Sequence, residues 1–111
     1  MARIGRVFLG DRFAGLIVED EEGFRFTYDS AYLSIDGAMA IGLSLPLRGQ
    51  PYHDRSLFPF FDGLIPEGWL LEIAERTWKL DPRDRMGLLL ACCEDCVGAV
   101  SVKRAEESRD S

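Results

Sequence analysis

Long apolar runs are missing from this 111-residue sequence. None approaches the roughly 20 residues of a membrane-spanning helix, and the opening MARIGRVFLG lacks the apolar core and cleavage pattern of a signal peptide. A cytoplasmic protein is therefore expected. Positive charge is also in short supply. Thirteen basic residues against nineteen acidic ones leave a net charge of −6, which opposes tracking along a phosphate backbone, where Lys and Arg must displace counterions. Direct nucleic-acid binding is not expected. Histidine occurs once and cysteine three times; an odd number of cysteines without an export signal reads as reduced thiols, not as a disulfide framework. The eleven glycines are scattered, and no GxGxxG or GxxxxGK[ST] run precedes a helix. The HRD and DFG elements with which a protein kinase holds its base and magnesium are also absent. No cofactor is implied, and the chain is not expected to be an enzyme by itself.

What is present suits one domain with one core, since the length allows burial of about two-thirds of the surface an unfolded chain would expose. Ile4 to Leu9 and Leu16 to Glu19 are strand-like, and Gly10-Asp11 between them has residue types that tolerate a tight hairpin turn. Asp20 to Gly23 is a second turn signal, after which Phe24 to Tyr28 alternates apolar and polar side chains. The expectation is a three-strand antiparallel meander. Ser30 to Ala40 has room for one helical turn. Ile41 to Leu47 (IGLSLPL) alternates again and predicts a further strand, ended or placed at an edge by Pro46. Arg48 to Arg55 reads as a polar, flexible loop.

The stretch that organises the rest is Phe58 to Leu71, FPFFDGLIPEGWLL. Gly and Pro set its backbone course, and its large side chains call for burial in this chain or in a partner. Pro66 and Glu67 suit the first turn of a helix. From Trp69 to Lys79 the apolar positions Leu70, Leu71, Ile73, Ala74, Thr77 and Trp78 share one side, opposite Glu72, Glu75, Arg76 and Lys79. Asp81-Pro82 repeats the start signal for a second helix, in which Met86, Leu88, Leu89, Leu90 and Ala91 are expected to be buried. Val97 to Val102 reads as a closing strand of the sheet, with 1–102 as the domain and 103–111 as a frayed polar tail. The fold class is α+β, a small antiparallel sheet with two main helices.

Candidate chemistry is thin. Cys92, Cys93 and Cys96 include a CxxC spacing, but a closed zinc site needs four ligands and His53 is some forty positions away. A thiol cluster at a helix end is the simpler reading. His53 has no nucleophile placed with it, and Asp62 and Glu67 have neighbours typical of caps and turn stabilisers. Trp69 stands out because it projects roughly 120° from the centre of the apolar face. Two environments suit such an indole: beneath Phe58, Phe60 and Phe61, or in a pocket on another protein, where Trp is a frequent energetic anchor.

FFDGLIPEG, followed after Asp81-Pro82 by LLACCEDCVGAVSV, resembles the N-terminal subdomain of the HipA-type serine/threonine kinases of bacterial toxin-antitoxin systems. SLPL at Ser44 to Leu47 matches the family's strand before the loop, and the similarity runs from about Arg3 to Val102. The sequence continues for nine residues beyond that closing strand, so it is read as a free-standing copy, similar to the HipS-type small proteins of three-gene HipBST systems. That resemblance implies a non-catalytic antitoxin that neutralises a separately encoded HipA-like kinase (HipT type), while a helix-turn-helix protein (HipB type) binds the operator. The surface expected to meet the kinase comprises Phe61, Asp62, Ile65, Pro66, Glu67, Gly68, Trp69, Glu72, Ile73 and Arg76. Two departures stand out: Trp69-Leu70-Leu71 follows PEG where the family is often polar, and Cys92-Cys93 stands near a usual glycine. The same interface can lock a kinase in either conformation, so an activating lobe of a split kinase is the alternative function. A small enzyme using Asp62, Glu67 or His53 comes third.

Overall fold

Hairpin chemistry builds the first half of the molecule. The computed structural model describes residues 3–65, 83–92 and 100–105, with the Cys92 side chain excepted. Strand β1 (Arg3–Leu9) pairs antiparallel with β2 (Arg12–Asp20), and the Leu9↔Arg12 register leaves Gly10-Asp11 as a two-residue loop. Gly10 has φ +63°, which is open to glycine without steric penalty and matches a hairpin turn with positive φ at its first central position. Register passes from Val7↔Gly15 to Phe8↔Phe13, so Ala14 is the extra residue of a bulge. On the other edge of β2 the Ala14 carbonyl accepts the Asp29 N–H at 2.7 Å, one step beyond the Gly15↔Tyr28 pair, which pins the exit of the third strand. That strand, β3 (Gly23–Tyr28), follows the Glu21-Glu22 turn, where the Glu22 N–H donates to Asp20 Oδ1 at 2.9 Å.

Helix α1 (Ser30–Leu33) is a single turn capped by the Asp29 carboxylate, which accepts the Tyr32 N–H. The expected meander and helical turn are therefore both present. A fourth strand, β4 (Tyr52–Asp54), lies on the free edge of β3, and β5 (Val100–Arg104) lies on the free edge of β1. Sheet order is β4-β3-β2-β1-β5, antiparallel throughout. Helices α2 (Pro59–Asp62) and α3 (Arg85–Cys92) complete the described elements. The fold is α+β, as the sequence indicates.

The core lies between one sheet face and the helices. Val7, Ile17, Phe26 and Val102 point inward with no exposed surface, and Phe61, Met86, Leu88, Leu89 and Leu90 are buried against them. Gly5 is the contact point with α3: a Cβ there would lie 2.8 Å from Val102 and 3.0 Å from Leu90.

Four expectations need correction. Ile41 to Leu47 forms no strand. Its backbone groups are taken locally, by a Leu45 N–H to Gly42 carbonyl turn and by the Tyr28 hydroxyl, so no ladder forms. The alternating apolar residues consequently split, with Ile41 and Leu45 buried and Leu43 and Leu47 exposed. Conversely, the loop expected over Arg48 to Arg55 contains β4, because the unpaired edge of β3 offers hydrogen bonds that outweigh the polar composition. Ala91 is exposed, not buried, as the helix turns that position outward. The closing strand extends through Lys103 and Arg104, paired with Arg6 and Gly5, and the Ala105 N–H adds a bond to the Ile4 carbonyl. The helix read over 69–79, the start signal Asp81-Pro82, and Cys93 and Cys96 lie outside the described residues. No helix among the described residues is long and apolar enough to cross a membrane.

Candidate functional site

The organising stretch is anchored before it reaches Pro66. Pro59 occupies the first position of α2, where its missing N–H costs nothing. One helical turn then aims Phe61 inward, with its ring centroid 5.5 Å from Phe26, 6.2 Å from Phe58 and 5.2 Å from Phe60. The turn continues through Leu64 N–H to Phe61 carbonyl and Ile65 N–H to Asp62 carbonyl bonds of 3.0 and 3.2 Å. Ile65 is buried. Phe61 and Ile65, read from the sequence as docking residues, thus face the chain's own core and present almost no surface to a partner; the core claims them because they follow each other at helical spacing. Asp62 stays half-exposed, and its Oδ1 accepts from Arg85 Nε at 2.6 Å, which braces α2 against α3. Pro66, Glu67, Gly68, Trp69, Glu72, Ile73 and Arg76 lie outside the described residues.

A second segment borders this stretch. A Cβ on Gly42 would lie 2.5 Å from the Phe60 ring, so only glycine lets the backbone of the 39–47 segment sit against α2. Two tyrosines hold that segment. The buried Tyr28 hydroxyl donates to the Leu45 carbonyl and accepts the Ile41 N–H at 3.0 Å, and the Tyr32 hydroxyl donates to the Met39 carbonyl at 2.5 Å. Tyr52 donates to the Pro46 carbonyl at 2.5 Å while its ring stacks under Arg48, whose guanidinium carbon is 3.7 Å from the centroid. The outcome is an apolar turn with Leu43 fully exposed and Met39 65% exposed. The sequence reading missed both residues as surface features, because Leu43 falls in phase with the buried Ile41 and Leu45. The signal that marks the turn is Gly42 followed by Ser44 and Pro46.

Titratable groups cluster elsewhere. Arg3 reaches from β1 to Glu19 at 2.6 Å and makes two parallel bonds, 2.9 and 2.7 Å, to Asp84. Asp84 in turn accepts the Gly87 N–H at 3.2 Å, so it caps α3. The Arg3 guanidinium holds the Asp84 carboxyl below its ordinary value of 3.8, against the opposing effect of burial. A depressed carboxyl contributes stability that is present above that ordinary value and lost as pH falls below it. Asp84→Ala is expected to cost about 1 kcal/mol at neutral pH, a modest figure because the pair is about one-third exposed. Urea midpoints of wild type and variant should converge in acid; a gap that persists unchanged below the carboxylate range would rule the ion pair out as its cause. His53, on β4, is exposed, and no group of three or more potential metal ligands forms among the described residues.

Comparison with known proteins places this arrangement. A solved structure described as the N-terminal domain of HipA toxin superposes with a TM-score of 0.74 at 33% identity, covering 96% of this chain and 95% of that one. An uncharacterized protein of Haemophilus influenzae is 36% identical over 107 residues, 96% of this chain and 97% of that protein. A Sinorhizobium fredii protein named "Putative kinase Y4mE" is 29% identical over 101 residues; 90% of this chain is matched, but only 24% of that protein. The HipA N-terminal domain family model matches residues 5–103, nearly the whole of the sheet and its covering helices. The matched region carries the N-terminal domain and no kinase catalytic domain, and the chain belongs to the HipA N-terminal domain family.

Proposed function

We propose that the chain is a non-catalytic antitoxin that binds a separately encoded HipA-like serine/threonine kinase and inhibits it. One observation carries the proposal: the same domain fills 97% of the Haemophilus influenzae relative and only 24% of the Sinorhizobium fredii protein. The domain thus occurs both as nearly a whole chain and as a small part of a protein named as a putative kinase, which supports a role for this chain in trans on a kinase. The organising stretch is the docking element in this reading. Phe61 and Ile65 anchor its entry, and Trp69 is the side chain that fills the kinase's nucleotide or substrate cleft. A helix-turn-helix protein completes the complex at the operator, in the cytoplasm.

The test is the phosphorylation rate of the purified HipA-like kinase with and without this chain at matched concentrations. Inhibition is expected, with Trp69→Ala weakening it about 30-fold in half-inhibitory concentration, the loss of about 2 kcal/mol typical of a tryptophan hot spot. Unchanged affinity and inhibition in the variant would remove Trp69 from the mechanism. The occurrence of the domain within a kinase-type chain favours one second reading, an activating lobe of a split enzyme. A rise in phosphorylation rate would establish that reading and overturn the first.

A further inference from the structure

The sheet face turned away from the core has an unusual composition for a chain of net charge −6. Antiparallel sheets with one solvated face usually line it with polar side chains. Here Phe8, Phe13 and Leu16 occupy it, with Phe8 opposite Phe13 and Leu16 opposite Arg6 in the β1–β2 register. Phe8 and Phe13 meet edge to face, with ring centroids 5.7 Å apart, and Leu16 is 37% exposed. Two cations stand over this patch. The Arg6 guanidinium carbon is 5.8 Å and Lys103 Nζ is 5.2 Å from the Phe8 centroid, Lys103 lying opposite Arg6 in the β1–β5 register. Both side chains are exposed, and neither forms an ion pair among the described residues. Arg25, further along the face, meets Asp20 at 3.6 Å. Among the described residues, no carboxylate pairs with either cation of the patch.

We infer that the outer face of the sheet, centred on Arg6, Phe8, Leu16 and Lys103, is a second docking surface, and that its occupant is an acidic patch with apolar flanks on the kinase partner. This rests on the function proposed above and adds a contact separate from the organising stretch. Charge selects the occupant. Stacking over Phe8 holds the two cations in place before binding, so carboxylates that reach them lose little further side-chain freedom, and the aromatic surface between them takes an aliphatic or aromatic side chain. A polynucleotide fits less well, because two cations release few counterions and the net charge of the chain repels a phosphate backbone. A second copy placed by two-fold symmetry would set cations against cations.

The experiment is calorimetric titration of the purified HipA-like kinase with wild type, Arg6→Glu, Lys103→Glu and the double variant, at low and physiological ionic strength. Arg12→Glu serves as control, since Arg12 is exposed and lies off the patch. Each reversal on the patch is expected to weaken binding about tenfold, as charge pairs at interfaces do, and to flatten the salt dependence. The control is expected to change affinity by less than about threefold. Wild-type affinity in the double variant, or an equal loss with Arg12→Glu, would overturn the surface while leaving the proposed function standing. Failure of the wild type itself to bind the kinase would overturn both. Displacement of bound kinase by a single-stranded oligonucleotide, or self-association of the chain that the same reversals abolish, would overturn the occupant.

Discussion

Phe61→Ala is expected to destabilise the protein by about 3–5 kcal/mol, the usual cost of deleting a buried aromatic ring and leaving a cavity behind. Phe61 has no exposed surface, and its ring contacts Phe26 on the sheet together with Phe58 and Phe60 on its own turn. The loss therefore falls where the sheet core meets the organising stretch. Since a domain of this kind is stable by about 5–15 kcal/mol, the loss takes a large share of that margin. Urea denaturation followed by circular dichroism measures the effect as a lowered midpoint with unchanged slope. Phe61→Leu keeps most of the volume and should cost about 1–2 kcal/mol, which gives a folded variant for binding assays. That variant should bind the kinase like wild type, because the ring presents no surface. A loss of affinity without a loss of stability would return Phe61 to the interface that the sequence assigned it.

Tyr28→Phe is expected to cost about 2–4 kcal/mol, since it removes one hydroxyl and leaves two main-chain groups without partners. The Leu45 carbonyl and the Ile41 N–H both meet that hydroxyl, and Ile41 and Leu45 are buried. The phenol is 3% exposed and its pKa is raised, chiefly by burial, with the Ile41 N–H opposing the shift. A raised folded-state value means that the neutral phenol's contribution is intact below the ordinary value of 10.0 and is lost as pH climbs above it. Wild type should therefore weaken in alkali while Tyr28→Phe, already weakened, responds less. Hydrogen exchange at Ile41 and Leu45 is the local measurement, with faster exchange expected across the 39–47 segment than in β1 or β2. Unaltered exchange there would show that the segment is held by its apolar contacts alone.

These two residues show different degrees of legibility. Phe61 sits in a stretch whose aromatics, glycines and prolines mark it as a place where the backbone is committed and large side chains need cover. Whether that cover comes from the same chain or from another was open, because hydrophobicity is non-directional and reads the same for a core and for an interface. Tyr28 reads only as the end of an alternating strand. Its hydroxyl's role depends on residues 13 and 17 positions downstream folding back over it, and such a contact leaves no mark in local composition.

Local chemistry determined the β1–β2 hairpin, the Glu21-Glu22 turn, the meander, the turn of helix after Asp29 and, apart from Ala91, the apolar set of α3, because each rests on side chains within a few positions of one another. The motif pair FFDGLIPEG and LLACCEDCVGAVSV carries the resemblance to the HipA N-terminal domain in the sequence itself. Tertiary structure alone decided the fate of Ile41 to Leu47 and of Tyr52 to Asp54. An alternating apolar pattern becomes a strand only where a neighbouring edge is free to accept its hydrogen bonds; the Tyr28 hydroxyl took those of the first segment, and the open edge of β3 drew in the second. The outer-face patch arose in the same way. Arg6 and Lys103 come from opposite ends of the chain, and only the β1–β5 register sets them side by side over the Phe8 ring on an acidic protein.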